Sequence, residues 1–154
     1  MRLQDLMSTR VESISCNATA AEALARMRGL RVRHLIVSDG GKAVGVLSDR
    51  DLENLGTMAA VETAGERMSH PIVTAAPETT VRQAANLLRG RTIGCLPVMV
   101  GGRVVGIVTT TDLLELIGRG SERPVPKSRR WTLAGRGAAR RAPGPHAARR
   151  SAAR

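Results

Sequence analysis

Apolar and polar residues follow each other in short blocks that occur twice along the chain. Each block opens with a few apolar residues, near 11–15 and 72–75, whose number suits a short strand. A stretch with apolar residues at i, i+3, i+4 and i+7 follows, which predicts a half-buried helix. These apolar residues are Ala20, Ala23, Leu24 and Met27 in the first block and Val81, Ala84, Ala85 and Leu88 in the second. Gly29 and Gly90 are expected to end the helices.

The helix starts and the following turns have recognisable chemistry. Thr19-x-x-Glu22 and Thr80-x-x-Gln83 have the capping-box pattern, in which two side chains bind free backbone amides. After each helix, two apolar runs flank a pair of glycines, at 40–41 and 101–102, which predicts a β-hairpin. A last helix is expected to begin at Ser48 or Thr109. Each block therefore has the element order β-α-β-β-α.

The two blocks are copies of one unit. Shifting the sequence by 61 positions gives fifteen identities between 1–57 and 62–118 in one ungapped register, among them Gly45 with Gly106 and Asp51 with Asp112. A unit of this size buries little sheet surface alone, so we predict an α+β fold of two tandem repeats packed through their sheets around one core. The expected divisions are repeat one at 1–57, a linker at 58–64, repeat two at 65–118 and a tail at 119–154.

Charge separates the tail from the repeats. The chain has 24 Lys and Arg against 13 Asp and Glu, and ten of the arginines lie in 119–154 beside one lysine and one acid. The tail therefore carries +10 of the net +11, and its Ala, Gly, Pro and Arg composition predicts disorder. It could make weak, salt-sensitive contacts with a polyanion. The repeats contain no aromatic residue, which argues against a base-stacking surface for nucleic acid.

Several other classes of protein are disfavoured. Cys16 and Cys95 are too few for a disulfide framework, and no apolar run approaches the length of a transmembrane helix. No secretion-signal pattern is found at the start of the printed sequence, so we expect a cytoplasmic protein without membrane insertion. No metal-ligand spacing links the cysteines to His34, His70 and His146, and no catalytic motif is present, so neither a metal site nor an enzyme is predicted.

The strongest local motif closes each repeat at a strand-to-helix junction. It reads Gly-h-h-Ser/Thr-x-x-Asp, where h is apolar, and it places Ser48 before Asp51 and Thr109 before Asp112. Such a hydroxyl caps the helix and such a carboxylate complements the helix dipole. The same groups, beside free amides, can also hold a ribose diol and a phosphate.

With the duplication, these closing motifs resemble the cystathionine-β-synthase (CBS) domain family. The resemblance also rests on three shorter segments: Asp5-Leu6-Met7-Ser8, Arg33-His34-Leu35-Ile36-Val37 and Gly94-Cys95-Leu96-Pro97-Val98. It covers 1–118 and implies a Bateman module, a regulatory CBS pair that commonly binds adenosine-containing ligands between its repeats. The chain departs from the family pattern at Ile36, where a proline is usual, and at Glu66, which replaces the opening Asp.

The resemblance implies roles for individual residues. Asp51 and Asp112 would accept hydrogen bonds from ribose hydroxyls, and Ser48 and Thr109 would contact ribose or phosphate. For phosphate, Arg33 and Arg50 are candidates in the first cleft, whereas the second has Gly94 and Thr111 at the equivalent positions. Without an aromatic ring, aliphatic walls would hold adenine. The expected wall residues include Ile14 or Val37 in one cleft and Ala75 or Val98 in the other.

We therefore predict a regulatory module, not an enzyme, that binds AMP, ADP, ATP or S-adenosylmethionine and requires no cofactor. The ligand would alter the packing of the repeats, and an unidentified regulated protein would respond. A homodimer is expected. Two alternatives stay open: a dimerising scaffold that needs no ligand, and a nucleic-acid-associated protein that acts through its basic tail.

Overall fold

A computed structural model describes residues 1–120 of the chain. The helices are α1 (Leu3–Leu6), α2 (Ala20–Leu30), α3 (Ala64–Arg67), α4 (Val81–Arg91) and α5 (Thr110–Gly118). The strands are β1 (Ser13–Ser15), β2 (His34–Asp39), β3 (Lys42–Ser48), β4 (Cys95–Val100) and β5 (Arg103–Thr109). Two 3-10 helices, Asp49–Leu52 and Gly56–Ala60, follow β3. Nearly all of the predicted tail lies outside the described residues.

The strands form one sheet in each repeat. In the first sheet β1 is parallel to β2 and β2 is antiparallel to β3, whereas the second sheet contains only the antiparallel pair β4 and β5. The strand predicted near 72–75 is reduced to a single bridge between Ala75 and Val98. Both hairpins turn through glycine pairs with positive φ, at 40–41 and 101–102, as predicted.

The long helices begin as predicted but end later. The capping boxes of Thr19 with Glu22 and of Thr80 with Gln83 are both present. The prediction that Gly29 and Gly90 end these helices is wrong, because α2 continues to Leu30 and α4 to Arg91. The left-handed residue that closes each helix is Arg31 (φ 55°) or Thr92 (φ 53°), at equivalent positions of the repeats.

The buried apolar residues form two cores, where the sequence suggested one shared core. The first contains Leu35, Val37 and Leu47 from β2 and β3, and the second contains Leu96, Val98 and Val108 from β4 and β5. Strand residues that alternate with these point to the opposite faces of the sheets. Three of them are also buried, and they belong to neither core: Ile36, Cys95 and Pro97. Because β3 contacts β5, we infer that they fill the junction between the sheets.

Each core is completed by a segment from the other repeat. Leu3 of α1 is fully buried in the second core, and Ala64 of α3 is fully buried in the first. Next to these helices, Ser8 forms two backbone hydrogen bonds of 2.9 Å with Ile107, and Ser69 forms two of 2.8 and 3.2 Å with Val46. The predicted α+β fold of two repeats packed through their sheets is confirmed, and the repeats also exchange their opening segments.

Candidate functional site

The two strand-to-helix junctions contain the same hydrogen-bonded unit. The Oδ2 atom of Asp51 accepts from Ser48 N at 2.7 Å and from Ser48 Oγ at 2.8 Å. The Oδ2 atom of Asp112 accepts from Thr109 N and Oγ1, both at 2.8 Å. Each hydroxyl in turn accepts a weaker bond from the backbone N–H of its aspartate. The predicted caps are therefore present, and they fix one carboxylate oxygen of each aspartate.

The carboxylates differ in their surroundings. Asp112 is 3% exposed and is the only buried charged residue among those the structure describes, whereas Asp51 is half-buried. No group within the described part of the chain donates a hydrogen bond to Oδ1 of Asp51. That oxygen can accept hydrogen bonds from a ligand hydroxyl without breaking the cap.

Arg33 and Arg50, the predicted phosphate ligands of the first repeat, differ in whether they form an ion pair. Nε of Arg33 donates to Oδ2 of Asp49 at 2.8 Å, and this hydrogen bond raises the pKa of the Arg33 guanidinium. Arg50 is exposed and forms no ion pair with any described residue. Its counterpart Thr111 is also exposed. The first junction therefore presents one available cation, Arg50, and one that is already paired.

The four predicted adenine walls are not equally accessible. Ile14 is half-buried and lines a cavity of about 410 Å³ with Ser13, Ser15 and Ser38. Val37 and Val98 are fully buried in the two cores, and Ala75 is 9% exposed. Only Ile14 of the four presents its side chain to an open cavity here, because the others pack among core residues.

A second cavity, of about 420 Å³, lies beside the first junction. It is formed where the end of α2 faces the first 3-10 helix, with Met27, Val32 and Leu52 as part of its apolar wall and Asp49 at its polar side. Neither Ser48 nor Asp51 lines either of these two cavities. Neither cavity therefore includes the cap formed by Ser48 and Asp51, although Asp49 borders the cavity beside the first junction.

A histidine at the junction of the repeats was not among the predicted binding residues. His34 begins β2 directly opposite Ser48, so both side chains leave the same face of the sheet. Burial lowers the pKa of its imidazole; the carboxylates of Asp49 and Asp51 oppose this effect, whereas Arg33 and Arg50 add to it. The sequence signal that could have identified it is the replacement of Arg33-His34 by Gly94-Cys95 in the second repeat.

The buried cysteine of the second repeat has a weakly acidic thiol. Cys95 is 3% exposed, and burial, assisted by the negative charge of Asp51, raises the pKa of its thiol to about 12. Thiolate chemistry at neutral pH is therefore disfavoured at this position. Within residues 1–120, no group of three or more His, Cys, Asp or Glu side chains is arranged to hold a metal ion, and no helix has the length and apolar character to cross a membrane.

Comparison with known proteins identifies the repeats. The CBS domain family model matches residues 3–55 and again 64–119. The CBS domain-containing protein YhcV of Bacillus subtilis is 31% identical over 114 residues, which cover 72% of this chain and 81% of that protein. The chain also matches much longer proteins, covering 14% of the A-adding tRNA nucleotidyltransferase of Geobacter sulfurreducens and 24% of the homoserine O-acetyltransferase of Methanosphaerula palustris.

Solved structures give the same result. The CBS domain pair of protein MJ0100, in complex with 5′-methylthioadenosine and S-adenosyl-L-methionine, matches with a TM-score of 0.71 and 27% identity. The match covers 77% of this chain and 97% of that one. The hexameric CBS-CP12 protein from bloom-forming cyanobacteria matches with a TM-score of 0.68 and 27% identity, over 74% of this chain and 69% of that one.

Proposed function

The chain belongs to the CBS domain family, and on that premise we propose that its two repeats form a regulatory module that binds an adenosine-containing ligand. The observation that carries the proposal is the pair of strand-to-helix junctions, each with a carboxylate whose Oδ2 atom accepts the capping bonds. A carboxylate held this way is preorganised to accept hydrogen bonds from a ribose diol. The CBS pair of MJ0100 with its two adenosyl ligands supports this class of ligand.

We assign the first cleft to the junction of Asp51 and the second to the junction of Asp112. In the first cleft, Oδ1 of Asp51 would accept from the ribose and Arg50 would face a phosphate. Ser48 already donates its proton to Asp51, so it would meet the ligand as an acceptor. In the second cleft Thr109 has the same role as Ser48, and Thr111 gives no positive charge. The first cleft is therefore the better one for an anionic ligand.

The regulatory step follows from the exchanged opening segments. The bonds of Ser8 to Ile107 and of Ser69 to Val46 join the repeats, so a ligand that favours one relative packing would alter both contacts. Such an effect requires different affinities for the two arrangements. A partner protein would recognise the ligand-bound arrangement, and the module itself would perform no chemistry. The proposed repeat boundaries are 1–57 and 65–118.

A second candidate function is a dimerising scaffold that needs no ligand. It is favoured by two large apolar side chains on the outer face of α5, Leu114 and Ile117, which are 63% and 76% exposed. Exposed apolar residues on one helix face are typical of protein interfaces. Both functions allow a homodimer, so self-association alone does not separate them.

Calorimetric titration of the full chain with AMP, ADP, ATP and S-adenosylmethionine separates the two functions. We expect saturable heat with at least one of them, together with a raised unfolding temperature. At a ligand concentration of 100 Kd, the free energy of unfolding should increase by about 2.7 kcal/mol. A chain that dimerises but shows neither heat nor thermal stabilisation with any of the four would be a scaffold, and the sensor function would be wrong.

A further inference from the structure

The side chain of His34 meets the backbone of the other repeat. If a Cβ atom were present at Gly94, it would lie 2.9 Å from Nε2 of His34 and 3.5 Å from its Cε1. The ring therefore lies against Gly94, immediately before β4, although His34 itself belongs to β2. Because Gly94 has no side chain, the ring has the space it needs.

The ring of His34 also lies between the two strand-to-helix junctions. On one side, His34 is opposite Ser48, whose hydroxyl is bound to Asp51. On the other side, the carbonyl oxygen of Gly94 accepts hydrogen bonds from N and Oγ1 of Thr110 at 3.0 and 3.3 Å. Thr110 is the first residue of α5, the helix that carries Asp112. One imidazole thus lies between the two junction units.

The charges around the ring are nearly balanced. The negative charges that act on it come from Asp49 and Asp51, and the positive charges come from Arg33 and Arg50, all of them next to the first cleft. Asp49 is bound to Arg33, so that pair largely cancels. From the second repeat the ring meets the backbone of Gly94, and the next residue, Cys95, has a thiol that is uncharged at neutral pH. An anion added to this cleft would change the balance in favour of a protonated ring.

We propose that an anionic adenosyl ligand in the Asp51 cleft binds together with a proton on His34, so that its affinity increases as the pH falls from 8 to 6. The inference rests on the proposed function, because it specifies which ligands of that site are sensitive to pH. An uncharged adenosyl ligand adds no negative charge, so its affinity is independent of His34 protonation. Linkage requires that the ligand which is tighter on the protonated protein also takes up a proton when it binds.

The test compares AMP with 5′-methylthioadenosine, which carries no charge at these pH values, on the full chain at pH 8, 7 and 6. His34→Gln removes the titrating ring, and His70→Gln is the matched control because His70 is exposed. The AMP phosphate itself titrates near pH 6, an effect common to all three proteins. The measured quantity is therefore the affinity of the native chain divided by that of His34→Gln.

For AMP this ratio should rise roughly three- to tenfold between pH 8 and pH 6, since one proton linked fully gives at most about tenfold per pH unit. For 5′-methylthioadenosine it should stay constant, and His70→Gln should behave as the native chain does. A constant ratio for AMP would overturn the proton linkage and leave the proposed function intact. If neither ligand bound at any pH, the proposed function would fail and this inference with it.

A second measurement needs no variant. Calorimetric titration of the native chain with AMP at pH 7, in two buffers of different ionisation enthalpy, counts the protons taken up on binding. At this pH about nine-tenths of the AMP phosphate, whose second pKa is about 6, is fully ionised, so its own proton release is small. We expect net uptake with AMP that exceeds the uptake with 5′-methylthioadenosine. Equal proton counts for the two ligands would contradict the linkage even if His34→Gln folded poorly.

Discussion

The two repeats begin their final helices with the same cap but continue them differently. In the second repeat Thr109 starts α5, which runs for nine residues, whereas in the first Ser48 starts a 3-10 helix of only four. The residues after the cap explain the difference. Leu114, Glu115 and Leu116 are good helix formers, whereas the stretch of the first repeat equivalent to 114–117 contains Asn54 and Gly56, both with positive φ. A cap sets where a helix begins, and the residues behind it set its length.

The shorter helix of the first repeat leaves space beside it. The cavity beside the end of α2 is bordered by Leu52 and Asn54, at the place where the second repeat has α5 packed on α4. Asp51 is half-buried at the start of the shorter helix, whereas Asp112 at the start of the longer helix is 3% exposed. The two copies of the motif therefore differ in the exposure of their carboxylate, and only the first contains an arginine, Arg50, where the second has Thr111. These two differences are why we propose the first junction for an anionic ligand.

Both repeats make the same methionine-on-glycine contact with each other. Met68 lies over Gly45, and Met7 lies over Gly106. Each of these methionines is followed by a serine, at equivalent positions of the repeats, and each glycine is the first residue of a Gly-h-h-Ser/Thr-x-x-Asp motif. The motifs are thus two halves of one contact across the repeats. This contact gives the strongest way to disturb both repeats at once.

The largest expected effect is that of Gly45→Ala. The added Cβ would lie 2.9 Å from the backbone oxygen of Ser69 and closer still to the side chain of Met68. Overpacking of this kind costs about 1–3 kcal/mol of unfolding free energy, which urea denaturation measures. Gly106→Ala meets the equivalent atoms of Met7 and Ser8 and should be similar.

The matched controls are Gly29→Ala and Gly90→Ala. An added Cβ at either helical glycine meets no atom within 4 Å, so alanine should stabilise the helix by about 0.5–1 kcal/mol. If Gly45→Ala were as well tolerated as these two, the tight reciprocal contact would not exist.

The next effect separates the two caps. Asp112→Ala removes a buried carboxylate and leaves the N–H of Thr109 without its partner, so we expect a loss of about 1–3 kcal/mol. Asp51→Ala removes a half-buried carboxylate from a short 3-10 helix, and a loss of about 0.5–1 kcal/mol is expected. Equal losses in thermal or urea unfolding would show that the two junctions are energetically alike.

A smaller effect concerns the left-handed residues that close α2 and α4. Thr92→Gly should stabilise the chain by about 1 kcal/mol, because a β-branched residue is strained at φ 53°. Arg31→Gly at the equivalent position should give a smaller gain, since the arginine side chain is not branched at Cβ. If Thr92→Gly lowered the free energy of unfolding in urea, the contacts of the threonine side chain would stabilise the chain by more than its left-handed backbone conformation destabilises it.

The pH dependence of stability should show the smallest effect. The pKa of His34 in the folded chain lies below its unfolded value of about 6.5, so the unfolded chain binds the proton more readily. The contribution of a neutral His34 is therefore fully present above pH 6.5 and is lost as the pH falls from there toward the lower folded pKa. His34→Gln should be less sensitive in that window, and identical pH profiles would contradict the assignment.

The local elements of the fold could be predicted from the sequence because their causes are local. The capping boxes of Thr19 and Thr80 and the glycine turns involve residues within three or four positions of each other. The exchange of Leu3 and Ala64 between the cores could not be predicted, because the apolar pattern of the sequence indicates that a residue is buried but not which residues it contacts. For the same reason the sequence predicts one shared core where the structure has two.

The candidate site was predictable in its chemistry but not in its arrangement. The hydroxyl and carboxylate of each junction follow from the motif, and their capping bonds are confirmed. The pairing of Arg33 with Asp49, the burial of Val37 and the approach of His34 to Gly94 depend on which side chains meet across strands. Spacing along the chain contains no information on these distances.

The role of the two junction carboxylates is tested most directly by calorimetric titration of the full chain with its adenosyl ligand, comparing Asp51→Ala and Asp112→Ala with Glu66→Ala. Glu66 accepts a bond of 2.7 Å from the N-cap amide of α3, as Asp51 does at its own junction, and it lines neither of the two cavities, so its variant loses a similar cap elsewhere. We expect each aspartate variant to lose roughly tenfold or more in affinity at one site, since a hydrogen bond to a charged group contributes about 1.5–3 kcal/mol. Glu66→Ala should bind as the native chain does. Unchanged affinity in both aspartate variants would show that these carboxylates do not hold the ribose.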